Sequence, residues 1–407
     1  MVKYIFRPAA LGPWALALTN LADACVGRDA VRVGKAYADL YKGLAEARHA
    51  NLFEAAAASL LYTESPLVGA LAAQRDSAPG LLTGARRDLE VLARLLRRDW
   101  QAEVADLEGE ELPPLESLAQ SPGGPVAALA ETLRGADPEA VLTELLTAYR
   151  EDGTGELARF PAFRWAEGAL RGVLHPAWTE AERLVGVGDA VARLRANTEA
   201  FLTRRGSRRG AQHTLLYGPR GSGKSTALRS LGGRYAAAGL RFVEVTPGDL
   251  TDLPEISAAL RSRPHRYLIF VDDLAFENGS RAYGPLKSLL EGTLSGGPEN
   301  VLVYATSNRR HLVSERFSDR PDPSSDDPHA WDTQHEQLAL ADRFGLVLTF
   351  PDATQRRYLE IVWGLAARDG LNDPELDTKA VRFAEWGNGY SGRTAQQFVE
   401  ALGSGLV

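Results

Sequence analysis

The amino-acid sequence predicts an α/β protein: a five-stranded parallel sheet at its centre, an all-helical domain before it and a small helical lid after it. Three observations carry this. A glycine-rich turn at 218–223 stands between a short apolar run and a helix-forming stretch. Four more short apolar runs follow, separated by helical stretches, which is the texture of a parallel sheet buried on both faces. On either side of this region the apolar residues recur only at helical spacing. The domains expected are 1–180, 181–351 and 352–407.

Composition sets bounds. At 407 residues the chain has room for two or three domains. A net charge of −7 argues against a polyanion binder as a whole, while leaving room for a local basic patch. Cys25 is the only cysteine, which excludes an internal disulfide and fits a reducing compartment. No uncharged apolar run reaches the ~18 residues of a membrane helix. Lys3 and Arg7 ahead of Ala9–Leu18 have the outline of a signal peptide, but Pro13 interrupts the run, and Asn20 and Asp23 stand where small apolar residues are wanted. We read this segment as a buried helix and expect a cytoplasmic protein with no membrane association.

In the N-terminal region Tyr37, Leu40, Tyr41 and Leu44 share one helical face, and Leu52, Phe53, Ala56, Leu60 and Leu61 repeat the rhythm. Leu89, Val91, Leu92, Leu95 and Leu96 do so again, opposite Arg86, Arg87, Arg94, Arg97 and Arg98, which we read as a solvated face. Further helices are expected at Val126–Leu133, Pro138–Tyr149 and Phe160–Leu170. The role of this region is not legible in its residues.

The predicted strands are Leu215–Tyr217, Phe242–Thr246, Tyr267–Val271, Val301–Ala305 and Leu346–Phe350. In such sheets ligands sit beyond the carboxyl ends of the strands. The first strand ends in Gly218-Pro219-Arg220-Gly221-Ser222-Gly223-Lys224-Ser225-Thr226, which satisfies G-x-x-x-x-G-K-[ST] in a strand–loop–helix context. Glycines let the backbone curl so that its N–H groups converge on an anion, and the helix N-terminus adds partial positive charge. Lys224 is suited to reach β- and γ-phosphates, and Ser225 to offer its hydroxyl to a magnesium ion bridging them.

Asp272 and Asp273 close the third strand. The first is suited to hold the metal, and the second to orient a water that attacks the γ-phosphate. Asn308 ends the strand expected to lie between these two, within reach of the γ-phosphate or that water.

These pieces, over residues 181 to about 400, resemble an AAA+ P-loop ATPase, and more narrowly an uncharacterised bacterial AAA+ family of unknown function. The resemblance is carried by 215–225, Val271-Asp-Asp-Leu-Ala-Phe-Glu277, Ala305-Thr-Ser-Asn-Arg-Arg-His-Leu312, Asp342-Arg-Phe-Gly345 and Ser391-Gly-Arg393. It implies that Gly218–Ser225 are Walker A, Asp272 and Asp273 Walker B, and Asn308 sensor 1. It places Arg343 in the arginine-finger slot, Arg393 as sensor 2, and Val185 and Gly186, within Leu184–Val187, against the adenine base. ATP with Mg2+ is the implied cofactor pair, and a homo-oligomer, a hexameric ring among its forms, the implied assembly.

A planar guanidinium suits charge spreading over γ-phosphate oxygens. Arg343 precedes the edge strand, where a neighbouring subunit could receive it, and Arg393 follows the cap-like Tyr390-Ser-Gly at the start of a lid helix. The other lid helices are expected at Thr354–Ala367 and Leu376–Trp386. One departure stands out: AAA+ proteins usually carry glutamate where this chain has Asp273. The bacterial replication-initiator group looks similar here and works largely as a slow ATP switch. Glu277 is an alternative base four residues on.

Arg204–Arg209 is a basic loop read as a solvated linker, with DNA contact not favoured. Ser314–His335 is a polar insertion whose His329 and His335 are not read as metal ligands. The functional expectation is an ATPase whose oligomer-coupled hydrolysis remodels a protein or nucleoprotein partner. The alternatives are an ATP switch that recruits a partner through the helical domain, and a DNA loader.

Overall fold

A computed structural model describes residues 6, 8–63, 66–67, 79–108, 112–116, 118–120, 123–135, 137–180, 184–203, 210–261, 263–276, 281–291, 297–308, 340–387 and 389–407. Glu277, the basic 204–209 loop and the 314–335 insertion lie outside these residues. The chain divides into two compact units, 1–159 and 160–407.

The first unit is helical: α1 Pro8–Leu11, α2 Pro13–Gly27, α3 Ala30–Glu46, α4 Leu52–Tyr62, α5 Pro79–Leu96, α6 Trp100–Glu108, α7 Gly124–Gly135, α8 Pro138–Glu151 and α9 Gly155–Arg159. Side-chain caps start four of them among the described residues, with Asp29, Asn51, Asp99 and Asp137 accepting from Arg32 N, Glu54 N, Ala102 N and Glu139 N. The expected apolar faces meet in one core that includes Tyr37, Leu40, Leu44, Leu60, Leu89 and Leu92. Two of the arginines expected on a solvated face are engaged: Arg86, within α5, pairs with Glu139, and Arg98, just beyond α5, donates to Glu103 while stacking 4.0 Å over Trp100. Arg87, Arg94 and Arg97 are exposed.

The second unit holds a seven-stranded sheet, ordered β2-β1-β4-β5-β6-β3-β7. Its strands are β1 Ala162–Ala166, β2 Ala169–Gly172, β3 Thr214–Tyr217, β4 Leu240–Glu244, β5 Arg266–Val271, β6 Val301–Ser307 and β7 Leu346–Thr349. The five expected strands are all present and parallel, with β6 between β5 and β3 and with β7 at one edge. Two strands go beyond the expectation. Phe160–Leu170, expected as a helix, is instead the hairpin of β1 and β2, which pair antiparallel and join β4 through β1. Phe163 and Trp165 are buried while Arg164 is exposed, which is strand alternation, and Glu167 and Gly168 turn with φ of 53° and 71°. The sheet therefore has seven strands rather than five, and the all-helical region ends at 159 rather than 180.

Helices α10 Gly188–Thr203 and α11 Lys224–Tyr235 cover one face, over Leu216, Phe242, Leu268, Leu302 and Leu348. Helices α12 Leu253–Arg261 and α13 Tyr283–Glu291 lie toward the other, where Ile269, Val301 and Val303 are equally buried. Three further helices, α14 Gln355–Arg368, α15 Leu376–Trp386 and α16 Gly392–Gly403, build a small core of their own around Tyr358, Val362, Ala380 and Phe398. No helix among the described residues is long and apolar enough to cross a membrane.

Candidate functional site

A cleft of about 490 Å³ opens at the carboxyl ends of β3, β5 and β6. Its floor is the turn between β3 and α11. Gly218 leaves β3 so close to β7 that a Cβ there would stand 2.1 Å from the Phe350 carbonyl oxygen, so glycine is required. Gly223, at φ 96°, is the N-cap of α11 and has no side-chain cap bond, so no cap occupies the first-turn amides. The Ser222 Oγ is buried without a hydrogen-bond partner among the described residues.

Lys224 is 6% exposed, and its ammonium donates to the Gly218 and Pro219 carbonyls, each at 2.7 Å, and to Asn308 Oδ1 at 2.9 Å. Burial draws its pKa below the usual lysine value, against the pull of Asp273 and Asp272. Ser225 donates to Asp272 Oδ1 at 2.7 Å, and Asn308 Nδ2 donates to Asp273 Oδ1 at 2.5 Å. Residues contributed by three strand ends and one helix start thus form a hydrogen-bonded set that the sequence holds as much as 84 positions apart.

The rim is mixed. Leu184, Val185, Val187, Ile361 and Leu365 make an apolar wall. The Gly186 carbonyl accepts from the Arg357 guanidinium, tying this segment to α14. Arg393 lines the cleft from the start of α16, whose N-cap Ser391 accepts from Thr394 N at 3.0 Å. Arg343 is placed differently. It is not among the cleft-lining residues and pairs with Glu291 at the end of α13. Arg220, Gly221 and Thr226 line the cleft with Ser222, Gly223, Lys224 and Ser225, while Gly218 and Pro219 stand outside that lining and accept from Lys224.

Besides Ile361 and Leu365 of the apolar wall, two polar residues at the acid pair are not among the sequence-predicted set. Thr306, inside β6, donates to Asp272 Oδ1 at 2.6 Å and accepts from Asp273 N at 2.9 Å. Arg229, one turn along α11 from Ser225, approaches Asp272 Oδ2 at 3.8 Å. The four-residue spacing from Ser225 is a readable signal for Arg229. Thr306 offers only its place at a strand's carboxyl end.

These residues fit a nucleoside triphosphate with a divalent cation. Glycines stand at 218, 221 and 223 of the loop, one cation is sunk at its base, and a hydroxyl stands beside a carboxylate. Residues 158–406 match the family described as protein of unknown function (DUF815). The chain belongs to that family. The match begins two residues before the sheet-bearing unit and runs almost to its end, so membership in DUF815 describes that unit.

The chain is also 31% identical over 232 residues to human fidgetin-like protein 2, which covers 52% of this chain and 32% of that protein. It therefore spans about a third of the length of that curated relative. Among solved structures, a Thermotoga maritima RuvB variant superposes with a TM-score of 0.37 at 18% identity, over 56% of this chain and 64% of the other. AMPPCP-bound DnaA from Aquifex aeolicus gives 0.39 at 17%, over 56% and 66%. The strand order β4-β5-β6-β3-β7, with the glycine loop between β3 and α11, is that of an AAA+ P-loop fold.

Proposed function

We propose that this chain binds ATP with Mg2+ and hydrolyses it as an AAA+ ATPase, working as a homo-oligomer on a protein or nucleoprotein partner. One observation carries the reading: Lys224, Ser225, Asp272, Asp273 and Asn308 converge by hydrogen bonds at the carboxyl ends of adjacent strands. Lys224 and the loop amides would hold the phosphates, and Ser225 with Asp272 the metal. The metal would supply charge neutralisation across the β- and γ-phosphates. Asp273, kept in place by Asn308, is the base that receives a proton from an incoming water. Arg393 at the rim lies on the same side as the loop and would add positive charge over the phosphates. The apolar wall of Leu184, Val187, Ile361 and Leu365 suits the face of a purine.

A second reading, the slow ATP switch, is favoured by the short side chain of Asp273 and its commitment to Asn308. Phosphate release by the full chain separates the two: sustained Mg2+-dependent turnover supports the motor, and near-stoichiometric release the switch. In either case Lys224→Ala weakens binding of a fluorescent ATP analogue about tenfold or more, since a hydrogen bond to a charged group contributes about 1.5–3 kcal/mol. Unchanged affinity would overturn the assignment.

A further inference from the structure

We infer that Thr306 is the positioning residue of this site, its one hydroxyl setting the aim of both aspartates. The inference rests on the ATPase reading and deepens it.

Thr306 is 1% exposed, one residue from the end of β6. Its Oγ1 does two things at once: it donates to Asp272 Oδ1 at 2.6 Å and accepts from Asp273 N at 2.9 Å. Consider first the donated bond. Ser225 gives Asp272 Oδ1 a second hydroxyl donor at 2.7 Å, so that oxygen is saturated and the carboxylate cannot rotate without losing two bonds. The other oxygen, Oδ2, then faces Arg229 at 3.8 Å, among the cleft-lining residues. Which oxygen the site offers to a cation is therefore decided by Thr306 and Ser225 together.

The accepted bond acts on the neighbouring acid. Asp273 has φ 53°, the left-handed region that L-residues adopt at a cost. In that conformation its amide leaves the β5–β6 ladder and needs another acceptor, which the Thr306 hydroxyl supplies. Beyond the end of β5, Leu274 N donates to the Thr306 carbonyl at 2.7 Å and Ser307 Oγ donates to the Leu274 carbonyl at 2.8 Å. The left-handed turn is thus clamped on both sides, and from it the Asp273 carboxylate meets Asn308. An aspartate lacks the methylene by which a glutamate would reach into the cleft. Here the backbone turn, held by Thr306, directs the shorter side chain. Only a residue that can both donate and accept fills this position.

The threonine can be tested in halves. Thr306→Val removes the hydroxyl and keeps the methyl; Thr306→Ser keeps the hydroxyl and removes the methyl. In the full chain, the Mg2+ concentration for half-maximal binding of a fluorescent ATP analogue is measured alongside phosphate release and thermal unfolding. Thr306→Val is expected to raise the Mg2+ midpoint and lower turnover by about tenfold or more, as loss of a group orienting a metal-binding carboxylate does. Thr306→Ser stays within about threefold on both readouts, whatever its melting temperature. The inference is overturned if Thr306→Val stays within about twofold of wild type. It is equally overturned if Thr306→Ser is as impaired as Thr306→Val, because methyl packing then accounts for both. Should Thr306→Val fail to fold, Thr306→Cys, a weak donor and acceptor, is held to the same thresholds. A wild type that does not bind the analogue with Mg2+ overturns the ATPase reading itself, so the two failures are read from different proteins.

Discussion

Asn308 donates through Nδ2 to Asp273 Oδ1 at 2.5 Å while its own Oδ1 accepts from Lys224, so one amide links the phosphate-loop cation to the second acid. Asp273→Asn keeps an oxygen that can accept this bond and removes the charge. The variant is expected to bind the Mg2+–ATP analogue as wild type does and to lose phosphate release about a hundredfold or more, the contribution of a general base. Glu277→Gln is the comparison. If it abolishes release while Asp273→Asn does not, Glu277 is the base.

Gly218 offers a test of the fold at the site. Gly218→Ala would place a methyl 2.1 Å from the Phe350 carbonyl oxygen, where backbone must move. We expect a loss of roughly 1–3 kcal/mol, seen as a lowered unfolding midpoint. Gly284, in α13, is the control: a Cβ added there would meet nothing within 4 Å, and replacement by alanine should be neutral or slightly stabilising.

The amino ends of the strands carry a pH-dependent element away from the cleft. Burial, helped by Arg241, holds the His265 pKa down to about 3 from the ordinary 6.5. The unfolded chain takes up this proton below pH 6.5 and the folded chain only near pH 3. Stability from this group is therefore fully present above pH 6.5 and is lost as pH falls across that window, at up to about 1.4 kcal/mol per pH unit. Thermal midpoints at pH 7.5, 6 and 5 should fall more steeply for wild type than for His265→Gln. Parallel curves would remove His265 as the cause.

Arg343 bears on assembly. Within the chain it pairs with Glu291 and is not among the cleft-lining residues. The outcomes expected if it serves a neighbouring subunit, as we propose, are these. Specific activity should rise with protein concentration, as association populates complete sites. Arg343→Ala should bind ATP normally and lose turnover by about 10³ or more. Mixed with the inactive Lys224→Ala, it should regain part of the activity, because some interfaces pair an intact loop with an intact arginine. No recovery, with activity independent of concentration, assigns Arg343 to its own chain.

The sequence by itself determined the parts whose causes are local. The glycine loop, its lysine and the helix after it are written within residues 218–235, and Ser391 capping α16 within four. β5 and β6 are legible because both their faces are buried, which leaves unbroken apolar runs. By contrast β7, an edge strand with Val347 and Thr349 exposed, shows only as a short apolar run. The hairpin of β1 and β2 is not legible: Phe163, Trp165 and Leu170 are few enough to satisfy either a helical or an alternating period, and only pairing with β4 decides between them. Tertiary structure alone decided what the side chains touch. That Thr306 serves both aspartates, that Arg229 faces Asp272 and that Arg343 finds Glu291 all depend on contacts 33 to 52 residues apart. Hydrogen bonds of that reach follow from strand order and register, which set which ends lie side by side, and no local pattern of residue types encodes them.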